Sequence, residues 1–185
     1  GTVVHMSAGY AALAGAMFLG PRTSFGDSKH TEPANIPFVI LGTGMLWFGW
    51  FGFNAGSSLG ANLLAIQAFA TTIVASATAM MGWIFFDAAR GKKISAMGAC
   101  IGAVVGLVAI TPAAGFVTIP QSIFIGFISA VISNLAVRAK NKSNLDDTLD
   151  VFPCHGLGGI SGMLLTGIFA KEVGLFYGQT HTFLY

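Results

Sequence analysis

The fold of this chain is decided by one uncharged stretch, Leu63-Leu-Ala-Ile-Gln-Ala-Phe-Ala-Thr-Thr-Ile-Val-Ala-Ser-Ala-Thr-Ala-Met-Met-Gly-Trp-Ile-Phe-Phe86. Its 24 residues include no Lys, Arg, Asp or Glu. A helix needs about 20 mostly apolar residues to cross the hydrocarbon core of a bilayer. Lipid offers no partner for backbone N–H and C=O groups, so a crossing segment must bond its own backbone. The stretch therefore predicts a transmembrane helix.

Five further stretches have the same uncharged, apolar character. The six predicted spans are 1–20, 36–60, 63–86, 94–111, 119–137 and 151–170, of which the fourth and fifth are the shortest. A β-barrel would need alternating segments of about ten residues instead of long continuous runs. The chain is therefore predicted to be an all-α, polytopic transmembrane helix bundle that forms a single domain. Because the sequence opens inside one apolar run and ends near another, we expect this bundle to be incomplete at both ends.

The basic residues predict the orientation of the bundle. Eight of the nine Lys and Arg residues fall in the first, third and fifth connections, and only Lys171 falls elsewhere. By the positive-inside rule, the connections 21–35, 87–93 and 138–150 are predicted to be cytoplasmic. The protein is thus expected to be a multi-pass integral protein of a plasma or inner membrane, with both ends of the chain on the outer side.

The composition argues against several other classes of protein. Charged residues make up 9% of the chain, whereas a soluble domain has about a quarter. The net charge is only +2 and the bases are confined to connections, which disfavours a nucleic-acid partner. Cys100 and Cys154 lie in apolar runs and are interpreted as small core residues, not as a disulfide or zinc site. No motif supports a catalytic nucleophile, so neither enzymatic activity nor a cofactor is expected.

Small and aromatic residues indicate how the predicted helices pack. Glycine, alanine and serine recur at close spacing within the spans, which favours a tight helix bundle. Trp83 lies near Asp87 at the end of a span and is expected in an interfacial aromatic belt. Aligning His5 with His155 brings Gly9 onto Gly159. This weak repeat lies in spans of opposite direction, an arrangement typical of inverted repeats in transporters.

His5 and His155 are the only histidines inside the predicted spans, which contain no charged residues. Ionisable side chains in such positions are candidates for a functional site. A neutral imidazole offers one donor and one acceptor, so two facing histidines could share a proton and still bind a polar solute. Two alternatives stay open, a hydrogen bond between helices without any ligand and a metal site. No carboxylate or thiolate lies near His5 in the sequence, which disfavours the metal.

A second candidate group lies on one face of the second predicted helix. Trp50, Phe53, Asn54 and Ser57 are three or four residues apart, a spacing that brings side chains to the same face. Indole is the best cation–π partner for a small cation, and the Ser57 hydroxyl could accept a hydrogen bond beside it. Phe53 could form an apolar constriction. The alternative is an aromatic stripe that serves helix packing alone.

Three carboxylates precede the sixth predicted span, namely Asp146, Asp147 and Asp150. Carboxylates at the start of a helix accept bonds from its free N–H groups and suit the positive end of its dipole. We therefore expect these residues to be solvated and to cap the sixth helix.

Three motifs together resemble signatures of the ammonium transporter (Amt/Mep/Rh) family, in the order found in that family. They are Gly1-Thr-Val-Val-His5-Met-Ser-Ala-Gly9, Gly49-Trp-Phe-Gly-Phe-Asn-Ala-Gly-Ser57 and Asp146-Asp-Thr-Leu-Asp-Val-Phe-Pro-Cys-His155-Gly-Leu-Gly-Gly159. The second motif is similar to the Amt/Mep branch more than to the Rh branch. The resemblance covers nearly the whole chain and implies an eleven-helix, homotrimeric fold with one pore per subunit, of which this chain resembles helices five to ten.

The resemblance also implies roles for individual residues. His5 and His155 match the paired pore histidines, Phe53 a gate phenylalanine, and Ser57 a serine of the outer binding site. Trp50 matches a pore-lining tryptophan. Asp150 resembles an aspartate that supports the inner half of the pore. A regulatory PII-type protein on the cytoplasmic face and a lipid bilayer are the partners that the resemblance implies.

These observations lead to one main functional hypothesis. Ammonium, or its analogue methylammonium, is recruited near Ser57, loses its proton near Phe53, and crosses as ammonia along His5 and His155, with or without a separately moving proton. A bare cation at the centre of a bilayer is costly, which favours deprotonation on entry. The alternatives are an ammonium sensor coupled to a signalling partner and a purely structural membrane subunit.

Overall fold

The computed structural model describes residues 1–26 and 33–176, in which helices are joined by turns and irregular connections and no strand is present. Lys29, His30, His181 and part of the connection 21–35 lie outside the described residues. The described residues form six α-helices in chain order: α1 (Ser7–Leu19), α2 (Ile36–Asn54), α3 (Leu63–Ala89), α4 (Ala96–Ile110), α5 (Ile119–Lys140) and α6 (Gly158–Phe169). Within the same residues, five helical segments are long and apolar enough to cross a membrane. The predicted all-α, polytopic fold is confirmed.

Helix α4 forms the centre of the bundle, although it is too short to count among the five membrane-length helices. It has 15 residues, fewer than the roughly 20 that a crossing helix needs. Leu107, Val108 and Ile110 are fully buried, and α3 and α5 both pack against this helix. The predicted span 94–111 therefore overstates the helical length, because α4 is enclosed by protein and needs no lipid-length apolar run.

The backbone that follows α4 finds its hydrogen-bond partners on α3. The Thr71 hydroxyl donates to the carbonyl oxygen of Ala114, and the Gln67 amide donates to the carbonyl oxygen of Val117 at 2.5 Å. Non-helical backbone at membrane depth is tolerated where protein satisfies its polar groups. Polar side chains of an otherwise apolar helix thus permit α4 to end early.

Three helices approach most closely at the carbonyl of Ala75 on α3. A Cβ atom added to Gly106 of α4 would lie 2.5 Å from the Ala75 oxygen, and one added to Gly126 of α5 would overlap the same oxygen. Small residues allow such close approach where no hydrophobic force drives helix association in lipid. Glycine on α4 and α5 therefore sets the distance between the three central helices.

The first and last helices each begin with a π-helical segment that carries a histidine. These segments are Thr2–Met6 and Phe152–Leu157, and His5 and His155 occupy the fourth position of each. Contacts between Gly1 and Met163 and between Tyr10 and Phe152 show that the two elements run antiparallel. The repeat seen in the sequence thus corresponds to two similar elements in opposite orientation.

The structure corrects several details of the predicted elements. The predicted span 36–60 ends as an α-helix at Asn54, since a short 3-10 turn follows at Gly56–Ser58 and Leu59 adopts a left-handed conformation with φ of 53°. At their ends, α3 and α5 extend three residues beyond the predicted spans, to Ala89 and Lys140. Trp83 is buried in a cluster with Val105, Val137 and Cys154, so its assignment to an interfacial belt was wrong.

Polar contacts show which connections share an end of the bundle. Arg22 pairs with Asp146 at one end, where the Asn134 amide also donates to Asp87. At the other end, the Lys171 ammonium donates to the side-chain oxygen of Gln67. Cys100 and Cys154 are buried and unpaired, as their interpretation as core residues required.

The contact at Ala75 generates a test of the packing. Gly126→Ala should lower the thermal unfolding midpoint of the detergent-solubilised protein, because the new methyl group meets a backbone oxygen that cannot rotate away. Overpacking of this kind costs about 1–3 kcal/mol. Gly15→Ala is the matched control, since no described atom lies within 4 Å of its added Cβ. Equal unfolding midpoints for the two variants would contradict the proposed constraint.

Candidate functional site

The two histidines predicted from the sequence face each other across the crossing of the first and last helical elements. His5 Nδ1 lies 3.3 Å from His155 Nδ1, and the ring centroids are 5.5 Å apart. His5 is 2% exposed and His155 is partly buried. Residues separated by 150 positions in the chain are thus brought within hydrogen-bonding distance.

The geometry of this contact dictates how protons are distributed over the pair. A bond between two Nδ1 atoms requires one ring to carry its proton on Nδ1 and the other to accept there. The donating ring then has a bare Nε2, and the accepting neutral ring carries its proton on Nε2. The Nε2 atom of His5 is buried without a hydrogen-bond partner among the described residues. The pair therefore retains unused hydrogen-bonding capacity.

Glycines allow the two histidines to approach. A Cβ atom on Gly9 would overlap the backbone of Gly156, and one on Gly159 would lie 3.3 Å from the Cβ atom of His5. Each of these glycines follows the histidine of its own element by four residues, on the same helical face. The two π-helical turns also lie at this crossing. Such turns are rare in proteins as a whole, and those that occur are often found at functional sites.

An aromatic cluster covers one side of His5. The Trp50 ring stacks on the His5 ring with centroids 5.2 Å apart and an interplanar angle of 10°. Phe53 meets both rings edge to face, with its centroid 6.1 Å from that of His5 and 5.5 Å from that of Trp50. Offset stacks and edge-to-face contacts are the favoured arrangements of aromatic rings. Trp50 and Phe53 of α2 are therefore in direct ring contact with His5, which in turn contacts His155.

A threonine that sequence reasoning missed fixes the tryptophan. Trp50 Nε1 donates to Thr111 Oγ1 at 2.9 Å, and the Thr111 hydroxyl donates in turn to the carbonyl oxygen of Leu107 at 2.8 Å. Thr111 stands directly after α4 and before Pro112. A polar residue next to a proline at the end of an apolar run was the signal that could have marked it.

Two cavities adjoin the aromatic cluster and share Phe53 as a wall. The His5 cavity has a volume of about 540 Å³ and is lined by His5, Trp50, Phe53 and apolar residues of α2. The Asn54 cavity has a volume of about 210 Å³, and its polar lining is Asn54, Ser57, Ser58 and Thr111. Of the predicted site residues, Ser57 lines the second cavity and not the first. The structure thus divides the predicted site at Phe53.

The aspartates before the last helix have three different environments. Both carboxylate oxygens of Asp147 accept from the backbone, at 3.1 Å from Val151 N and 2.8 Å from Phe152 N. Asp147 therefore caps the π-helical segment that carries His155, as expected, but it is 5% exposed. The expectation that it is solvated was wrong.

Asp150 and Asp146 are held by basic residues instead of capping the helix. Asp150 Oδ1 lies 2.6 Å from Lys140 Nζ, and Lys140 also donates to the Asp147 carbonyl oxygen at 2.9 Å. Burial raises the pKa of the Asp150 carboxyl, and the adjacent Lys140 ammonium opposes that change. Asp146 pairs with Arg22 at 3.1 Å. Asp150 thus lies at the end of the bundle and not beside the histidine pair.

Within residues 1–26 and 33–176, no group of three His, Cys, Asp or Glu residues is placed to hold a metal ion. The site offers two imidazole rings in contact, a tryptophan stacked on one of them and an open apolar pocket beside it.

The sequence model of the Ammonium Transporter Family matches residues 1–185. The chain belongs to this family. It is 50% identical over 187 aligned positions to the ammonium transporter of Aquifex aeolicus, an alignment that covers 97% of this chain and 43% of the relative.

Solved structures of the ammonium transporter family share the fold. Mep2 of Saccharomyces cerevisiae superposes with a TM-score of 0.84 at 40% identity, over 91% of this chain and 39% of Mep2. A solved structure described as Sensor Amt Protein also gives a TM-score of 0.84, at 34% identity, over 92% of this chain and 44% of that protein. The chain therefore spans less than half the length of these members of the family.

The bond to Thr111 generates a test of how Trp50 is held. Thr111→Val keeps the shape of the side chain but leaves the Trp50 N–H without its acceptor. A buried polar group that loses its partner costs about 1–3 kcal/mol, so this variant should unfold at a lower temperature in detergent. Thr111→Ser retains the hydroxyl and should stay near the parent. If valine and serine gave the same midpoint, the bond would not hold Trp50.

Proposed function

We propose that this chain forms part of a pathway through which ammonium crosses a membrane as ammonia, past His5 and His155. The observation that carries the proposal is the contact of 3.3 Å between the two Nδ1 atoms, in a site closed on one side by Trp50 and Phe53. Family membership supports the substrate, because relatives of this chain are ammonium transporters.

The proposed route follows from the cost of burying charge. An unpaired cation loses its hydration in an apolar interior, whereas a neutral molecule of the same size loses far less. The described parts of the His5 cavity wall provide no carboxylate to compensate a cation. Ammonium would therefore transfer its proton to water on the Ser57 side of Phe53 before it reaches this cavity, and that proton returns to the outer solution or crosses separately. The neutral ammonia could accept from and donate to the imidazole nitrogens.

Phe53 is where we place the change from cation to neutral solute. It lies between the polar Asn54 cavity and the apolar His5 cavity, and Trp50 offers an indole face next to it. In this proposal Ser57 belongs to the recruiting side, Phe53 forms the constriction, and the histidine pair lines the conducting side.

The orientation in the membrane is proposed from the charges. The connections 21–35, 87–93 and 138–150 carry the basic excess, so we assign them to the cytoplasm of a cell whose plasma or inner membrane holds the protein. Ser57 then faces outward. A homotrimer and a cytoplasmic PII-type regulator remain proposals that rest on the family resemblance, as does the support of the inner pore by Asp150.

A second candidate function is that of an ammonium sensor. The observation in its favour is the likeness to the solved Sensor Amt Protein, which covers 92% of this chain. In a sensor, occupancy of the same site would bias a signalling partner and flux would be incidental. The two functions differ in whether the site must release its ligand on the opposite side of the membrane.

Transport is tested with the complete gene product that carries this chain, reconstituted in proteoliposomes. Ammonium and methylammonium should evoke uptake or current in the parent, and His5→Ala with His155→Ala should reduce it by at least tenfold, since both imidazoles of the pair are lost. His30→Ala, outside the predicted spans, is the matched histidine control. Full transport by the double variant would refute the role of the histidine pair.

A sensor is distinguished by binding without flux. Ammonium at 100 times its dissociation constant stabilises a protein by about 2.7 kcal/mol when only the folded state binds. We expect both functions to show this rise in the unfolding midpoint relative to an equal concentration of sodium. A rise accompanied by sealed liposomes that take up no ammonium would favour the sensor over the transporter.

A further inference from the structure

The polar groups that line the Asn54 cavity direct their hydrogens into the protein. The Ser57 hydroxyl donates to the carbonyl oxygen of Phe53, and the Ser58 hydroxyl donates to that of Gly60 at 2.8 Å. The Thr111 hydroxyl donates to the carbonyl oxygen of Leu107. A hydroxyl has one hydrogen and two lone pairs. All three hydroxyls can therefore offer only acceptor lone pairs to a molecule in the cavity.

Asn54 adds a stronger acceptor, and a buried hydrogen bond fixes which end of its amide is free. Asn54 Nδ2 lies 3.0 Å from Thr72 Oγ1, whose own hydrogen is donated to the Ala68 carbonyl oxygen at 2.6 Å. Thr72 Oγ1 can therefore only accept a hydrogen bond from Asn54. The Asn54 atom that faces it must be the amide nitrogen, so the amide oxygen Oδ1 remains available to another partner. No donor among the described residues bonds this oxygen.

The Asn54 side chain is largely buried, but its unused oxygen remains accessible. Asn54 is 9% exposed and lines the cavity, and Oδ1 is not among the buried side-chain atoms that lack a partner. An accessible oxygen that a fixed amide holds in place is suited to a ligand that brings its own hydrogen.

We propose that Asn54 is a substrate-binding residue whose Oδ1 accepts a hydrogen bond from ammonium in an acceptor-only cavity beside Phe53. Ammonium has four N–H donors and no acceptor, so it matches a lining of oxygen lone pairs more completely than water does. This inference rests on the proposed function and deepens it, because it names the residue that discriminates in favour of a donor-rich cation before the constriction.

The same contacts define the competing explanation. Asn54 joins α2 to α3 through Thr72, so its amide could serve helix packing alone. A packing role predicts that Asn54→Asp, which removes the amide nitrogen that bonds Thr72, impairs transport as much as Asn54→Leu does. A binding role predicts that Asn54→Asp, which keeps an acceptor oxygen, strengthens the affinity for the cation.

The experiment compares methylammonium uptake by the complete gene product with Asn54→Leu, Asn54→Asp and Thr72→Ser in proteoliposomes. Asn54→Leu should raise KM at least fivefold, since the acceptor is lost. Asn54→Asp should lower KM, since a carboxylate accepts more strongly from a cation. Thr72→Ser keeps the hydroxyl that orients the amide and should change KM less than twofold. Equal KM in the parent and in Asn54→Leu would overturn the proposal, as would an equal rise of KM in Asn54→Leu and Asn54→Asp.

A second readout separates this proposal from the proposed function. If the parent shows no transport and ammonium nevertheless raises its unfolding midpoint, the transport function fails. The loss of that rise in Asn54→Leu would still support the binding role. If the histidine double variant abolishes uptake while Asn54→Leu keeps the KM of the parent, the function stands and the binding role is refuted. A parent that neither transports nor binds ammonium would refute both.

Discussion

The candidate site depends on how closely two helical elements cross at Gly9 and Gly156. With any side chain on Gly9, the backbones could not come together, and the two imidazoles would lose their hydrogen bond. Trp50 stacks on His5 and Phe53 contacts both rings, so the aromatic cluster would move with the histidine. Close helix approach through small residues is the usual means of association in lipid, where the hydrophobic effect does not distinguish a neighbouring helix from acyl chains.

The sequence carried enough information to predict the helices and most of the site. Uncharged runs of membrane length predict helices because lipid leaves the backbone no other partner. His5, His155, Trp50 and Phe53 could be selected because polar or clustered aromatic residues inside such runs need an explanation. The structure brings these four side chains together in one cluster of ring contacts.

The remaining features depend on tertiary contacts that have no local pattern. Helix α4 is short because polar side chains of α3 bond the backbone beyond it, and Trp83 is buried because α4 and α5 cover it. The partner of Trp50 is a threonine 61 residues away. Asp147 and Asp150 are close in the sequence, yet one caps a helix and the other pairs with Lys140. Each outcome depends on which residues of other helices lie nearby.

The position of Phe53 has a consequence for how fast the pathway could change state. Its ring is the shared wall of two cavities, so rotation about its side-chain torsions would join them while every helix stays in place. Exposed side chains change rotamer in picoseconds to nanoseconds, whereas movements of whole domains take microseconds to milliseconds. Phe53 is 41% exposed within the described residues and is held by edge contacts with Trp50 and His5. If Phe53 is the constriction of the proposed pathway, opening needs only a change of one side-chain rotamer, which is far faster than the alternating motions of transporters that rock one half against the other.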